Sequence, residues 1–223
     1  MNLLGIDTST AASGVCVLRG DGTVCEVEPG PERLTQRPAH ASELMPAVVR
    51  CLDDAALDWA DVDAIAVGVG PGMFTGLRIG VATARGLAAA TGVELRPVSS
   101  LAALAAGPDA GAALALIDAR RGEVFAGLYA GGRTIWEPFV AAPEAVAERI
   151  GELDVAPLAV GDGAVRFRDV FEAAGAAIPG DGSRSHVVRG LSICRLAATV
   201  EAVPVEAVLP EYLRLPDAKP RIV

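Results

Sequence analysis

The chain predicts an α/β protein built from one structural unit used twice, and three observations carry that expectation. First, Leu3-Leu4-Gly5-Ile6-Asp7 and Ala113-Leu114-Ala115-Leu116-Ile117-Asp118 are both short apolar strands ending in Ile-Asp, 111 positions apart, each followed by a turn and a hairpin. Second, Ile65, Val67 and Val69 read as a buried strand, Gly70-Pro71-Gly72 as a tight turn, and from Thr75 the spacing becomes helical. Third, 223 residues suffice for one large domain or two small ones sharing an interface. The 52% hydrophobic and 4% aromatic content builds the core from Ala, Val, Leu and Ile rather than from rings.

Taken in order, residues 3–7 form a strand, residues 8–14 a small-residue turn, and Val15–Leu18 with Val24–Val27 a hairpin across Gly20-Asp21-Gly22. Residues 28–38 hold three prolines and read as a loop. A helix is predicted over 41–56, with Pro46 placed early, where a missing donor costs least. The strand of 64–70 leads through the glycine turn into a helix over 75–90. A helix N-terminus in this position either holds an anion or simply closes a strand-to-helix junction. Residues 95–107 read as a link. The second unit repeats strand, acid, turn (119–122), strand (123–129), Gly131-Gly132 turn and strand (134–140). A helix at 143–151, a strand at 158–160, helices at 164–174 and 191–202, and an irregular proline-rich tail complete the chain.

Both early helices carry more apolar surface than one sheet requires. In 41–56 the polar residues Glu43, Arg50, Asp53 and Asp54 form one narrow stripe. In 75–90 the small residues Gly76, Gly80, Ala84 and Ala88 recur every four positions, a spacing that lets another helix approach closely. A partner surface is therefore expected on Leu44, Met45, Val48, Cys51 and Leu52 of the first helix. On the second it falls on Phe74, Gly76, Leu77, Gly80, Val81, Ala84 and Ala88. On this expectation a bulky residue at Gly80 or Ala84 abolishes pairing and leaves a folded monomer.

Composition also excludes chemistries. The net charge of -9 argues against nucleic acid as a direct high-affinity ligand. The sole lysine, Lys219, rules out a Walker-type phosphate lysine. Cys16, Cys25, Cys51 and Cys194 are scattered and read as core residues of a reducing compartment. With no signal-like N-terminus and no run of about 18 apolar residues, a cytoplasmic protein away from membranes is expected.

Gly5-Ile6-Asp7-Thr8-Ser9-Thr10, the block Gly68-Val69-Gly70-Pro71-Gly72-Met73-Phe74-Thr75-Gly76-Leu77-Arg78-Ile79-Gly80, Ile117-Asp118-Ala119-Arg120-Arg121-Gly122-Glu123-Val124-Phe125 and Pro210-Glu211-Tyr212-Leu213-Arg214 stand in this order along nearly the whole chain. Together they resemble the bacterial TsaB (YeaZ) family. The resemblance implies an actin/Hsp70/sugar-kinase-like fold of two RNase H-like lobes, here 1–107 and 108–203, followed by the tail 204–223. It implies a non-catalytic subunit, without cofactor, of the machine that places threonylcarbamoyl on the adenosine beside the anticodon of certain tRNAs. The implied partners are the TsaD-like transferase paralogue, a TsaE-like ATPase and, for the chain alone, a second copy; tRNA is met only through the complex.

The residues also bear on catalysis. The paralogous transferases hold a metal with two histidines four apart on the first helix, whereas here His40 has Leu44 at that offset. His186 is far away in sequence, and one imidazole cannot make such a site. Asp7, Thr8 and Ser9 are candidates for a vestigial nucleotide loop, the hydroxyls either bonding a phosphate or satisfying the turn, and the turn is favoured. Asp118 with Arg120, Arg121 and Glu123 reads as a catalytic cluster or as a self-paired hairpin rim, the rim being favoured. The competing functional class is an enzyme of the same fold, either an ATP-dependent kinase or a metallopeptidase of the glycoprotease type.

Overall fold

Every residue of Leu3–Asp7 (β1) is buried, as befits the central strand of a sheet covered on both faces. In the computed structural model, which describes residues 1–214, β1 pairs antiparallel with Gly14–Leu18 (β2), and β2 in turn with Val24–Val27 (β3). On its other side β1 runs parallel to Ala64–Gly70 (β4), which pairs with Glu94–Ser99 (β5), giving the order β3-β2-β1-β4-β5. The helices His40–Asp54 (α1) and Phe74–Thr91 (α2) cover one face, where Leu4, Ile6, Ile65 and Val67 meet Leu44, Val48, Val81 and Ala84. Ser100–Ala105 (α3) follows β5, its N-terminus capped by the Ser99 hydroxyl, which accepts from the Ala102 N–H.

The second sheet repeats this order. Ala112–Arg120 (β6), Glu123–Ala130 (β7) and Arg133–Ala141 (β8) form an antiparallel meander. After Pro143–Gly151 (α4), Leu158–Val160 (β9) returns parallel to β6, giving β8-β7-β6-β9. The fifth strand is reduced to one parallel bridge, Leu158 with Ala177, in which the Ala159 N–H donates to the Ala177 carbonyl at 2.8 Å. The duplication thus extends from the Ile-Asp strands to the topology. Gly131 (φ 55°) and Gly132 (φ 74°) supply the two left-handed positions of a short hairpin turn. Asp162–Arg166 (α5) and Arg168–Ala173 (α6) take the place of the single helix expected over 164–174, the chain breaking at Phe167 (φ −115°, ψ 32°).

Three further expectations are corrected. The link expected over 95–107 is β5 and α3; Pro97 hid the strand, and an edge strand tolerates a proline. Gly190–Ala197 (α7) is shorter than the predicted 191–202; Leu191 and Cys194 pack on the open face of the first sheet, while Ile193 and Ala197 join the apolar cluster shared with the second. The approach is close: a Cβ at Gly5 would lie 2.6 Å from Cys194 Sγ and from the Gly190 carbonyl. Pro46 falls in the second turn of α1 rather than the first, so the Ser42 carbonyl loses its helical partner on an exposed side.

α3 and α7 lie between the sheets, and one apolar cluster spans both lobes, with Ala66, Val98 and Leu101 meeting Ile117, Phe125 and Ile193. The remaining face of the second sheet packs Leu114, Leu116 and Val124 against Val146, Ile150 and Phe171. From Val203 the chain crosses back as a strap. The Val203 N–H donates to the Leu95 carbonyl (3.0 Å), the Glu211 N–H to the Val69 carbonyl (2.7 Å), and Arg214 Nη1 to the Ala119 carbonyl (3.0 Å). Of the tail expected over 204–223, residues 215–223, Lys219 among them, lie outside the described residues.

Candidate functional site

Asp7 stands where β1 runs out, and the chain has walled it in. The Ser9 N–H (2.8 Å) and hydroxyl (2.6 Å) donate to Oδ1, and the Ser100 hydroxyl donates to Oδ2 (2.6 Å). Burial pushes its carboxyl above the usual range, and the Ser100 and Ser9 hydrogen bonds pull it only partly back. Residues 7–12 are all buried. The Thr8 hydroxyl donates to the Gly76 carbonyl (2.8 Å), and the Met73 N–H donates to the Ser9 carbonyl (2.7 Å). The vestigial-loop candidates Asp7, Thr8 and Ser9 therefore fasten the start of α2 to the end of β1. Ser100, on a helix that periodicity did not reveal, supplies a partner that the sequence did not point to.

The glycine stripe of α2 has the same task. A Cβ on Gly76 would run into the Thr8 carbonyl, and one on Gly80 into the Thr8 hydroxyl, so the glycines bring α2 onto its own first strand. Of the twelve residues expected at a partner surface, ten lie inside: Leu44, Val48, Cys51 and Leu52 of α1, and Gly76, Leu77, Gly80, Val81, Ala84 and Ala88 of α2. Their periodicity is real, but it faces the sheet. Met45 (38% exposed) and Phe74 (47%) remain on the surface, and Val49 (46%) joins them. The outer face of α2 presents Thr75, Ala82, Gly86, Ala89 and Ala90 to solvent, a strip of small residues bordered by exposed Arg78 and half-buried Arg85. A side chain at Gly86 would meet nothing within 4 Å. Phe74 is fixed from below: Arg78 lies over its ring (3.8 Å) and donates to the Tyr212 hydroxyl (2.9 Å), while the Phe74 and Tyr212 ring centroids are 5.2 Å apart.

Asp118, at the end of the equivalent strand β6, meets cations instead of hydroxyls. Its Oδ2 accepts from Arg120 Nη1 (2.9 Å) and Arg166 Nη1 (2.7 Å), and its Oδ1 from the Arg120 N–H (2.8 Å). The Asp118 N–H donates to Asp162 Oδ1 (2.9 Å). Burial first, and the Asp118 charge after it, push the Asp162 carboxyl up to about 6. Of the cluster read from the sequence, Asp118 and Arg120 come together, whereas Glu123 pairs with Arg214 of the strap. Arg166 was missed, since one arginine on a five-residue helix leaves no periodic signal.

The histidines sit apart in structural roles. His40 Nδ1 lies 2.7 Å from the Ser13 hydroxyl at the start of α1, and burial lowers its pKa. His186 Nδ1 accepts from the Gly161 N–H (3.1 Å) and Nε2 faces the Pro179 carbonyl (3.2 Å), which fixes one neutral tautomer. Among the described residues no group of three or more His, Cys, Asp or Glu is placed to hold a metal ion. Among them, too, no helix is long and apolar enough to cross a membrane.

Comparison with known proteins places this geometry. A family model described as TsaD, tRNA N6-adenosine threonylcarbamoyltransferase, matches residues 31–219. A Mycobacterium leprae protein described as uncharacterized is 36% identical over 98% of this chain, which spans 56% of that relative's length. The Escherichia coli tRNA threonylcarbamoyladenosine biosynthesis protein TsaB is 35% identical, with 96% of this chain and 95% of that protein covered. The structure of YeaZ from Pseudomonas aeruginosa superposes with a TM-score of 0.79 at 33% identity, covering 95% of this chain and 99% of that one. Two lobes of RNase H-like order joined by a common core make this an actin/Hsp70/sugar-kinase-like protein. Within that class the chain belongs to the TsaB (YeaZ) family.

Proposed function

We propose that the chain acts in tRNA threonylcarbamoyladenosine synthesis as a non-catalytic subunit that pairs with a TsaD-like transferase through the outer faces of α1 and α2. The observation that carries this reading is the exposed strip of small residues Thr75, Ala82, Gly86 and Ala89, accompanied by exposed Met45, Val49 and Phe74, on a molecule of net charge -9. Relatives of near-equal length carry the name of that biosynthetic pathway. The enclosure of Asp7 by Ser9 and Ser100 speaks against a kinase-like magnesium and phosphate site, and the separate duties of His40 and His186 speak against a metallopeptidase. In this reading the chain works in the cytoplasm, a TsaE-like ATPase joins the pair, a second copy takes the transferase's place when the chain is alone, and tRNA is met only through the complex.

The test uses the outer face, because Gly80 and Ala84 belong to the interior. Gly86→Arg puts a cation on the strip, where a side chain meets nothing within 4 Å, and Val49→Arg puts one on the exposed side of α1. Co-purification with the TsaD-like partner should fall by about a hundredfold, as for a charge placed at the centre of an interface, with the melting temperature unchanged. Retained pairing in both variants overturns the proposal.

A further inference from the structure

The helices α1 and α2 begin beside each other, and neither start is capped. Ala39 and Met73 stand at the N-cap positions, and no side chain there accepts from the first turn. First-turn N–H groups have no helical acceptor, and they carry the positive end of the helix dipole. Both first turns open on one cavity of about 680 Å³, lined by 39–42 from α1 and by Met73, Thr75 and Gly76 from α2. Every residue lining it belongs to the first lobe, and none is acidic. Arg37 borders it, exposed and without an ion-pair partner among the described residues. Glu43, the acid in the first turn of α1, is paired with Arg33 and does not line the cavity. From the second lobe, Arg120 Nη2 reaches Met73 Sδ at 3.8 Å.

A buried polar group is left over at the same place. His40 is 3% exposed, and its Nε2 has no hydrogen-bond partner among the described residues. The Thr10 carbonyl faces the ring without standing in hydrogen-bonding position. Nε2 is aimed at the first turn of α2, since a Cβ on Gly76 would stand 3.2 Å from it. When the Ser13 hydroxyl donates to Nδ1 (2.7 Å), the neutral ring carries its proton on Nε2, a donor without an acceptor. Leaving such a group buried and unpaired costs free energy that an anion in the cavity would restore.

We infer that this pocket binds one oxyanion group. The first-turn N–H groups of α1 and α2 hold it, with Arg37 and His40 Nε2 completing the set of donors. A phosphoryl and a carboxylate head share the chemistry that these donors recognise. The site needs neither Gly86 nor Val49, so it and the pairing proposal succeed or fail in separate assays.

NMR titration of the isotope-labelled full chain with phosphate, acetate and chloride at equal ionic strength tests the assignment. Phosphate or acetate should shift the Ala41, Thr75 and Gly76 amides and the His40 ring, saturating at about 1–10 mM, a modest free energy for one head group. Chloride should not, and the tighter of the other two decides the head group. Ala41→Glu places a carboxylate at the exposed start of α1. It should abolish binding of the added anion and raise the melting temperature by about 1–3 °C. Arg37→Gln should weaken binding by about twofold to fivefold, as for an exposed charge, whereas Arg50→Gln, in the second half of α1, leaves it unchanged. Absence of saturable shifts at these amides, shifts that chloride reproduces, or an Ala41→Glu protein that binds as the parent does overturns the inference.

Discussion

Asp7 and Asp118 close equivalent strands in the two lobes, yet one is walled in by serine hydroxyls and the other is met by two guanidiniums. The difference lies in the helix that succeeds the next parallel strand. After β4 comes α2, eighteen residues long, whose glycines let it settle on the end of β1. After β9 comes α5, only five residues, and it leaves Asp118 bordering an open cleft. Both helices rest on their strand through glycine, Gly163 of α5 lying against Leu116 and Ile117, so the length of the helix is what separates an enclosed carboxylate from one bordering a cleft.

The contrast can be broken most severely from the fastened side. Gly80→Leu forces a branched side chain onto the buried Thr8 hydroxyl and should cost about 3 kcal/mol, the upper end for overpacking, because it also displaces the bond from that hydroxyl to the Gly76 carbonyl. Gly86→Leu, on the open face of the same helix, should gain about 0.5–1 kcal/mol in chemical denaturation from helix propensity alone. A Gly80→Leu protein within about 0.5 kcal/mol of the parent would show that the end of β1 is less enclosed than described.

Removing the charges comes next. Asp118→Ala leaves two arginines without their shared acceptor and should cost about 1–3 kcal/mol. Asp7→Asn should do the opposite. The folded Asp7 carboxyl titrates above its unfolded value, so its contribution is full at low pH and is lost as the pH rises through the folded value. The asparagine variant escapes that loss and should match or exceed the parent at neutral pH in thermal melts.

Asp162 gives a gentler test of the open side. Its folded value of about 6 against a reference of 3.8 means that stability present below pH 3.8 fades as the pH rises towards 6. Asp162→Asn should flatten the stability profile across that window and leave it unchanged above. Smallest of all is Arg166→Gln, whose half-exposed ion pair should be worth under about 1 kcal/mol to folding.

Much of the architecture was legible because both units repeat the same signals. Ile6-Asp7 and Ile117-Asp118 mark the paired strands, Gly131-Gly132 the hairpin, and the apolar spacing both long helices. What escaped has specific causes. Pro97 disguised β5 and so concealed Ser100, which reaches Asp7 across 93 positions. On α2 the charged face is only Arg78 and Arg85, too narrow to tell the inner stripe of Gly76 and Gly80 from the outer strip of Ala82 and Gly86. Only the position of Thr8 settles which side is which.

The docking of α7 on the first sheet bears on synthesis of the chain. Residues 3–99 contain all five strands of that sheet, but the helix covering their second face comes only at Gly190–Ala197. While the ribosome is still adding the intervening segment, Leu3, Cys16 and Ala64 have nothing to cover them. The first sheet therefore waits for a helix made only after the whole of the second, and a truncated product ending near residue 107 should be recovered as aggregate rather than as a native lobe.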